Sequence, residues 1–225
     1  MHITKEMVRN IESRFMSNNY NGTLTINPNY EYINNGSNIL LSAPHSVKQM
    51  REENIKEEDE LTGFYASYLP KLNKYNSIYR TYQSMDDPNY PIGETLENPE
   101  DKYLQEVIKL IKKDKISFLL DIHGCATRRP FDVEIISVNG KTCNLEIVDI
   151  FYETLRSKNF VVSVDKVFKR GGQVIRQASN AGTNAVALEI NKTCRSYETL
   201  EDLQKLREMI LGIDESLVET KKHLI

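Results

Sequence analysis

Two histidines, one glutamate and one acidic run carry the chemistry this sequence offers. Four histidines occur; His2 and His223 lie near the ends, which leaves His45 and His123. Each closes an apolar run. Asn-Ile-Leu-Leu-Ser-Ala (38–43) leads into Pro44-His45-Ser46, and Ile116 to Ile122 leads into His123-Gly124. A third run, Ala-Val-Ala-Leu-Glu-Ile (185–190), carries Glu189. Sites in open α/β sheets form outside the carboxyl ends of the strands, so these three residues are predicted to meet at one sheet edge. Two neutral imidazoles and a carboxylate make a common catalytic zinc set that leaves a position for water. The spacing draws the third ligand from Glu57-Glu58-Asp59-Glu60, whose simpler reading is a solvated helix start. Glu189 is then the general base. Its simpler reading is a carboxylate paired with Asn191, Lys192 or Arg195. Asp121 lies two residues before His123, on the same face of a strand, where it can orient the imidazole.

The elements that must position these residues alternate between helices and short apolar strands. Val8, Ile11 and Phe15 give helical spacing over 4–18, and helices are also expected from Leu61 to Leu72, over 100–113, 145–158 and 198–220. Strands are expected at 30–33, 38–43, 77–82, 116–122, 131–138, 160–165 and 185–190. The stretch Lys48 to Glu60 reads as polar and irregular, 83–99 as a long loop, and Gly171-Gly172 as the centre of another. Asn98-Pro99 reads as the cap and first turn of the 100–113 helix. This pattern predicts an α/β protein with a largely parallel sheet covered on both faces, built as one domain over 1–225.

Composition narrows the function classes. The 225 residues carry a net charge of −3, which argues against a polyanionic partner such as nucleic acid or an anionic membrane surface. Three cysteines, Cys125, Cys143 and Cys194, exclude a disulfide framework and a Cys-X-X-Cys site. No apolar run reaches the ~20 residues of a membrane span. The N-terminal residues lack a basic segment followed by an apolar one, so a cytoplasmic protein is expected.

At these same residues the chain resembles the N-formylglutamate amidohydrolase family, part of the larger group of zinc-dependent carboxypeptidase-like hydrolases. The matching pieces are Ser-Ala-Pro-His-Ser (42–46), Asp59 before Leu61-Thr62-Gly63, Asp-Ile-His-Gly (121–124), Gly171-Gly172 and Ala-Leu-Glu-Ile-Asn-Lys (187–192). The resemblance implies a three-layer α/β/α fold around a mixed, largely parallel sheet, of the phosphorylase/hydrolase-like kind. It also implies hydrolysis of an N-acyl amide on a small amino acid. Carried over by position, His45, His123 and Asp59 would hold Zn2+, with Glu58 competing for the third place, and Glu189 would be the catalytic carboxylate. Other divalent metals also suit histidine and carboxylate ligands. The chain departs from the family pattern at Val47, where Gly is common, and from carboxypeptidases at Lys48, where they carry Glu.

An acyl amino acid carries a carboxylate, which a guanidinium binds bidentately. Arg129 and Arg176, each close to a motif, are the arginines favoured for that role, and the partner expected is a small acidic N-acyl amino acid. Two other function classes remain open on sequence alone. One is a metal-free hydrolase using Ser46 beside His123. The other is a non-catalytic small-molecule binding protein that retains the fold.

Overall fold

A computed structural model describes residues 3–23, 28–92 and 100–224. The first elements are helix α1 (Lys5–Tyr20), strands β1 (Tyr30–Ile33) and β2 (Ile39–Ala43), and a hairpin of β3 (Gln49–Arg51) and β4 (Asn54–Lys56). Helices α2 (Thr62–Tyr68) and α3 (Pro70–Asn73), strand β5 (Asn76–Arg80), helix α4 (Lys102–Lys113) and strands β6 (Phe118–Cys125) and β7 (Val133–Ile136) follow. The chain closes with α5 (Leu145–Ser157), β8 (Val162–Val164), α6 (Gln173–Asn180), β9 (Asn184–Asn191) and α7 (Leu200–Lys222).

Seven strands form one mixed sheet in the order β1-β5-β2-β6-β9-β7-β8. The central four, β5, β2, β6 and β9, run parallel, while β1 and β7 join them antiparallel. Side chains alternate across the sheet and sort into two cores. Leu41, Leu120, Ile122, Leu188 and Ile190 pack with α1, α2, α5 and α7, whereas Leu40, Leu119, Ala185 and Ala187 pack with α4 and α6. The result is the three-layer α/β/α architecture. Strands buried on both faces explain why β2, β6 and β9 read as continuous apolar runs.

Several elements differ from the sequence expectation. The polar stretch after Lys48 contains the β3–β4 hairpin, three residues per strand and too short to show a period. The loop around Gly171-Gly172 opens directly into α6, eight residues long, whose buried face is Val174, Ile175 and Ala178. Helix α4 is capped by Asp101, whose side chain accepts from the Leu104 N–H; the expected Asn98-Pro99 start lies outside the described residues. Among the described residues, no helix is long and apolar enough to cross a membrane.

Candidate metal centre

The carboxyl ends of β2, β6 and β9 gather His45, His123 and Glu189 at one edge of the sheet. His45 follows β2, while His123 and Glu189 are register partners on β6 and β9. Asp59 joins them from the turn after the hairpin, where its own N–H donates to the His45 carbonyl at 2.8 Å. His45, Asp59 and His123 are all buried, and their ligand atoms lie within 4.8 Å of one another. The two Nδ1 atoms are 3.0 Å apart, and Asp59 Oδ2 is 3.3 Å from each. Glu58 instead faces Lys48, at 4.0 Å.

The far side of each ring meets another carboxylate. His45 Nε2 lies 2.8 Å from Asp87 Oδ1, and His123 Nε2 lies 2.7 Å from Asp121 Oδ2. An ionised carboxylate only accepts, so these contacts hold a proton on each Nε2 and make Nδ1 the atom that would give its lone pair to a cation. Two imidazole lone pairs and a carboxylate oxygen thus converge on one point, a donor set that fits a divalent cation of the zinc type. The carboxylates behind the rings are the usual means of fixing tautomer and orientation.

These supports are themselves held. Asp121 accepts from Ser42 Oγ at 2.7 Å and from Asn89 Nδ2 at 3.1 Å. Asp87 takes Arg51 Nε at 2.6 Å and the Asn89 N–H at 2.9 Å. Lys56 Nζ donates to the second oxygen of Asp59 at 2.8 Å. The unexpected hairpin therefore supplies two cations, Arg51 and Lys56, that steady the carboxylates of the site. Asp87 and Asn89, in the 83–92 loop, were not found by sequence reasoning. Nothing in that loop's residue types separates them from ordinary turn formers.

The electrostatics favour positive charge at the centre. Burial pulls His123 down, but Asp121, Asp59 and Glu189 outweigh it and hold the imidazole well above its usual pKa. Burial pushes Asp59 up, yet Lys56 and the two histidines keep it well below the ordinary carboxylate range. Glu189 is raised to about 7, first by burial, with Asp59 adding to the rise and His123 opposing it. The candidate partners that would make Glu189 a plain structural ion are engaged elsewhere. Arg195 donates to the carbonyls of Ile190, Glu60 and Cys125, Lys192 pairs with Glu60, and Asn191 Nδ2 donates to the carbonyls of Arg129 and Phe131.

A cavity of about 420 Å³ opens over this group, with His45, Asp59, His123 and Glu189 in its wall beside Lys169 and Arg170. Neither Arg129 nor Arg176 lines it. Arg129 lies over the Phe168 ring at 4.9 Å, and Arg176 donates to the Arg170 carbonyl at 2.6 and 3.0 Å. Both side chains engage the 166–172 loop, Arg129 through the Phe168 ring and Arg176 through the Arg170 carbonyl. Ser46 is not placed to act with His123 either. Its hydroxyl donates to the carbonyls of Arg80, at 2.7 Å, and Ala43, at 3.1 Å.

The sheet order and this edge define the class: a three-layer α/β/α fold around a mixed, largely parallel sheet, with a candidate His-Asp-His metal group where the central strands end. Known structures with this fold include N-formylglutamate amidohydrolase from Ralstonia eutropha JMP134, with TM-score 0.61 and 14% identity over 87% of this chain and 99% of that one. A bacteriophage poly-gamma-glutamate hydrolase gives 0.56 at 12% identity over 88% and 93% of the two chains. Gene product Atu2144 from Agrobacterium tumefaciens gives 0.58 at 12% identity over 84% and 96%. No protein-family model and no curated relative matches the sequence. At these identities the likeness is one of fold, and it is the fold that the motif resemblance implies.

Proposed function

We propose that this protein is a metal-dependent amidohydrolase that cleaves the N-acyl amide, N-formyl in type, of a small acidic amino acid. The observation that carries the reading is the convergence of His45 Nδ1, His123 Nδ1 and Asp59 Oδ2 beside a half-buried glutamate, Glu189, raised to about 7. His45, Asp59 and His123 would hold the metal, and Asp87 and Asp121 would orient the two rings. When bound, zinc supplies Lewis acidity toward a carbonyl oxygen and acidifies water. Glu189 takes the proton from the attacking water and returns it to the leaving amine, a double role suited to a carboxylate titrating near neutrality. The names of two fold neighbours, for N-formylglutamate and poly-gamma-glutamate, support a glutamate-derived amide as the substrate class. Three free, buried cysteines fit a reducing cytoplasm.

The test is release of glutamate from N-formyl-L-glutamate by zinc-loaded protein. Turnover that a chelator abolishes and zinc restores is the expected result. Saturable binding without turnover would replace this reading with that of a binding protein on the same fold. Turnover indifferent to chelation would remove the metal from it.

A further inference from the structure

The cavity wall holds four cations, Arg51, Lys56, Lys169 and Arg170. Two of them are already neutralised: Arg51 pairs with Asp87 at 2.5 Å and Lys56 with Asp59 at 2.8 Å. Among the described residues, Lys169 and Arg170 have no side-chain ion pair. They sit side by side on the segment between β8 and α6, both exposed. The cavity that holds the candidate metal group thus also carries two adjacent, uncompensated positive charges.

That segment has no regular structure, yet it is fastened at three points. Glu134, fully buried on β7, accepts from the backbone N–H groups of Lys166 at 2.5 Å, Val167 at 2.7 Å and Phe168 at 3.1 Å. The Arg129 guanidinium packs on the Phe168 ring. Arg176 holds the Arg170 carbonyl. Glu134 is also the register partner of Glu189 in the β7–β9 ladder. One row across the sheet therefore presents both the carboxylate proposed as base and the carboxylate that anchors the basic segment.

We propose that Lys169 and Arg170 read the substrate carboxylate, and that Glu134 is the positioning residue that sets them for it by holding the 166–172 segment through its backbone. The proposal rests on the acidic substrate inferred above. It gives Arg129 and Arg176 a different part from the one their sequence positions predict: they brace the segment through Phe168 and the Arg170 carbonyl.

Glutarate and the neutral, similarly sized glutaramide are suitable probes, since neither carries the amide to be cleaved in an N-acyl amino acid. Calorimetry on zinc-loaded wild-type protein is expected to show glutarate bound more tightly than glutaramide. Arg170→Ala and Lys169→Ala should each reduce that ratio by about tenfold, the size of one lost charge-assisted hydrogen bond. Glu134→Gln is the sharper test. It removes a negative charge close to the cations, so a field effect alone would strengthen glutarate binding, whereas loss of the anchor weakens it. A fall in the ratio, with circular dichroism unchanged, supports the anchor. Glu134→Asp keeps the charge but withdraws the acceptor and should give the same fall; it carries the test if the glutamine variant does not fold. Equal affinity of the wild type for the two probes, an unchanged ratio in Arg170→Ala, or tighter glutarate binding by Glu134→Gln would overturn the proposal. Failure of the hydrolase reading is separate: it appears as absent turnover of N-formyl-L-glutamate while the glutarate preference and its loss in Arg170→Ala persist.

Discussion

His123 and Glu189 stand side by side in the parallel ladder between β6 and β9, on the face of the sheet that carries α4 and α6. Parallel pairing aligns the carboxyl ends of the two strands, so an imidazole and a carboxylate 66 positions apart in sequence come together without any loop having to hold them. Rigid strands also keep Glu189 where burial raises its pKa to about 7. Glu189→Gln preserves shape and removes the basic oxygen. Turnover of N-formyl-L-glutamate is expected to fall by roughly 10²–10⁴-fold, the usual contribution of a positioned acid–base group. Metal content, measured by elemental analysis of the purified variant, should stay at that of the wild type. Loss of metal together with turnover would make Glu189 a ligand instead.

Metal affinity should depend on residues that never touch the ion. Asp87 accepts from His45 Nε2 while Arg51 and the Asn89 N–H hold its oxygens, and this keeps its carboxyl below the ordinary range despite burial. Asp87→Asn turns an amide donor toward either Arg51 or the ring, and so loosens the His45 orientation. Zinc affinity is expected to weaken by about 10–100-fold, as for other carboxylates behind metal-bound histidines. Competition with a fluorescent chelator reads this directly. His123→Ala, which removes a ligand outright, should leave no measurable zinc under the same conditions.

The strands and the residues at their ends were legible in the sequence because physics leaves few alternatives there. A strand buried on both faces must be apolar along its length, so a histidine or glutamate at its end stands out, as His45, His123 and Glu189 did. Asp59 was legible only within a run of four acidic residues, and its selection over Glu58 depends on the turn that joins its N–H to the His45 carbonyl. Asp87 and Asn89 lie in a loop with no period. Their roles arise from contacts with Arg51, Asp121 and the start of α6, all distant in sequence. Where the arginines Arg129 and Arg176 reach is hidden from the sequence for a related reason. A long flexible side chain reaches several places from one backbone position, and which of them it takes depends on tertiary neighbours such as Phe168 for Arg129.

Stability should vary with pH through Glu12, which lines no part of the cavity. This carboxyl, buried on α1, accepts from the Leu61 N–H at 2.9 Å and the Tyr20 hydroxyl at 3.3 Å, and so supports the turn after Asp59. Burial raises its pKa from 4.5 to about 8, against the opposing pull of those hydrogen bonds. The folded state therefore holds a proton that the unfolded state releases above 4.5. Its stabilising contribution is fully present below 4.5 and is lost as pH rises to about 8, by up to about 1.4 kcal/mol per unit in that window. Glu12→Gln keeps an acceptor for Leu61 without the ionisation. Urea midpoints measured from pH 5 to 8 should fall more steeply for the wild type than for this variant, and parallel curves would refute the assignment.

The contact between Gly124 and Arg195 makes the last prediction. Arg195 is buried, and its guanidinium ties together the carbonyls of Ile190 at 2.9 Å, Cys125 at 3.2 Å and Glu60. These carbonyls sit one or two residues from Glu189, His123 and Asp59, so one side chain links the three segments that carry the site. It can do so because Gly124 lacks a side chain; a Cβ there would overlap the guanidinium. The overlap involves a flexible side chain, but moving it breaks all three hydrogen bonds. Gly124→Ala is therefore expected to cost about 1–3 kcal/mol, as overpacking in a filled interior does. An Arg195→Ala background removes the three atoms nearest the added methyl, and the same substitution should then cost clearly less, below about 0.5 kcal/mol, within the range of substitutions that disturb nothing. A double-mutant cycle from chemical denaturation gives the coupling directly. Additive costs would show that Gly124 is required for some reason other than the passage of Arg195.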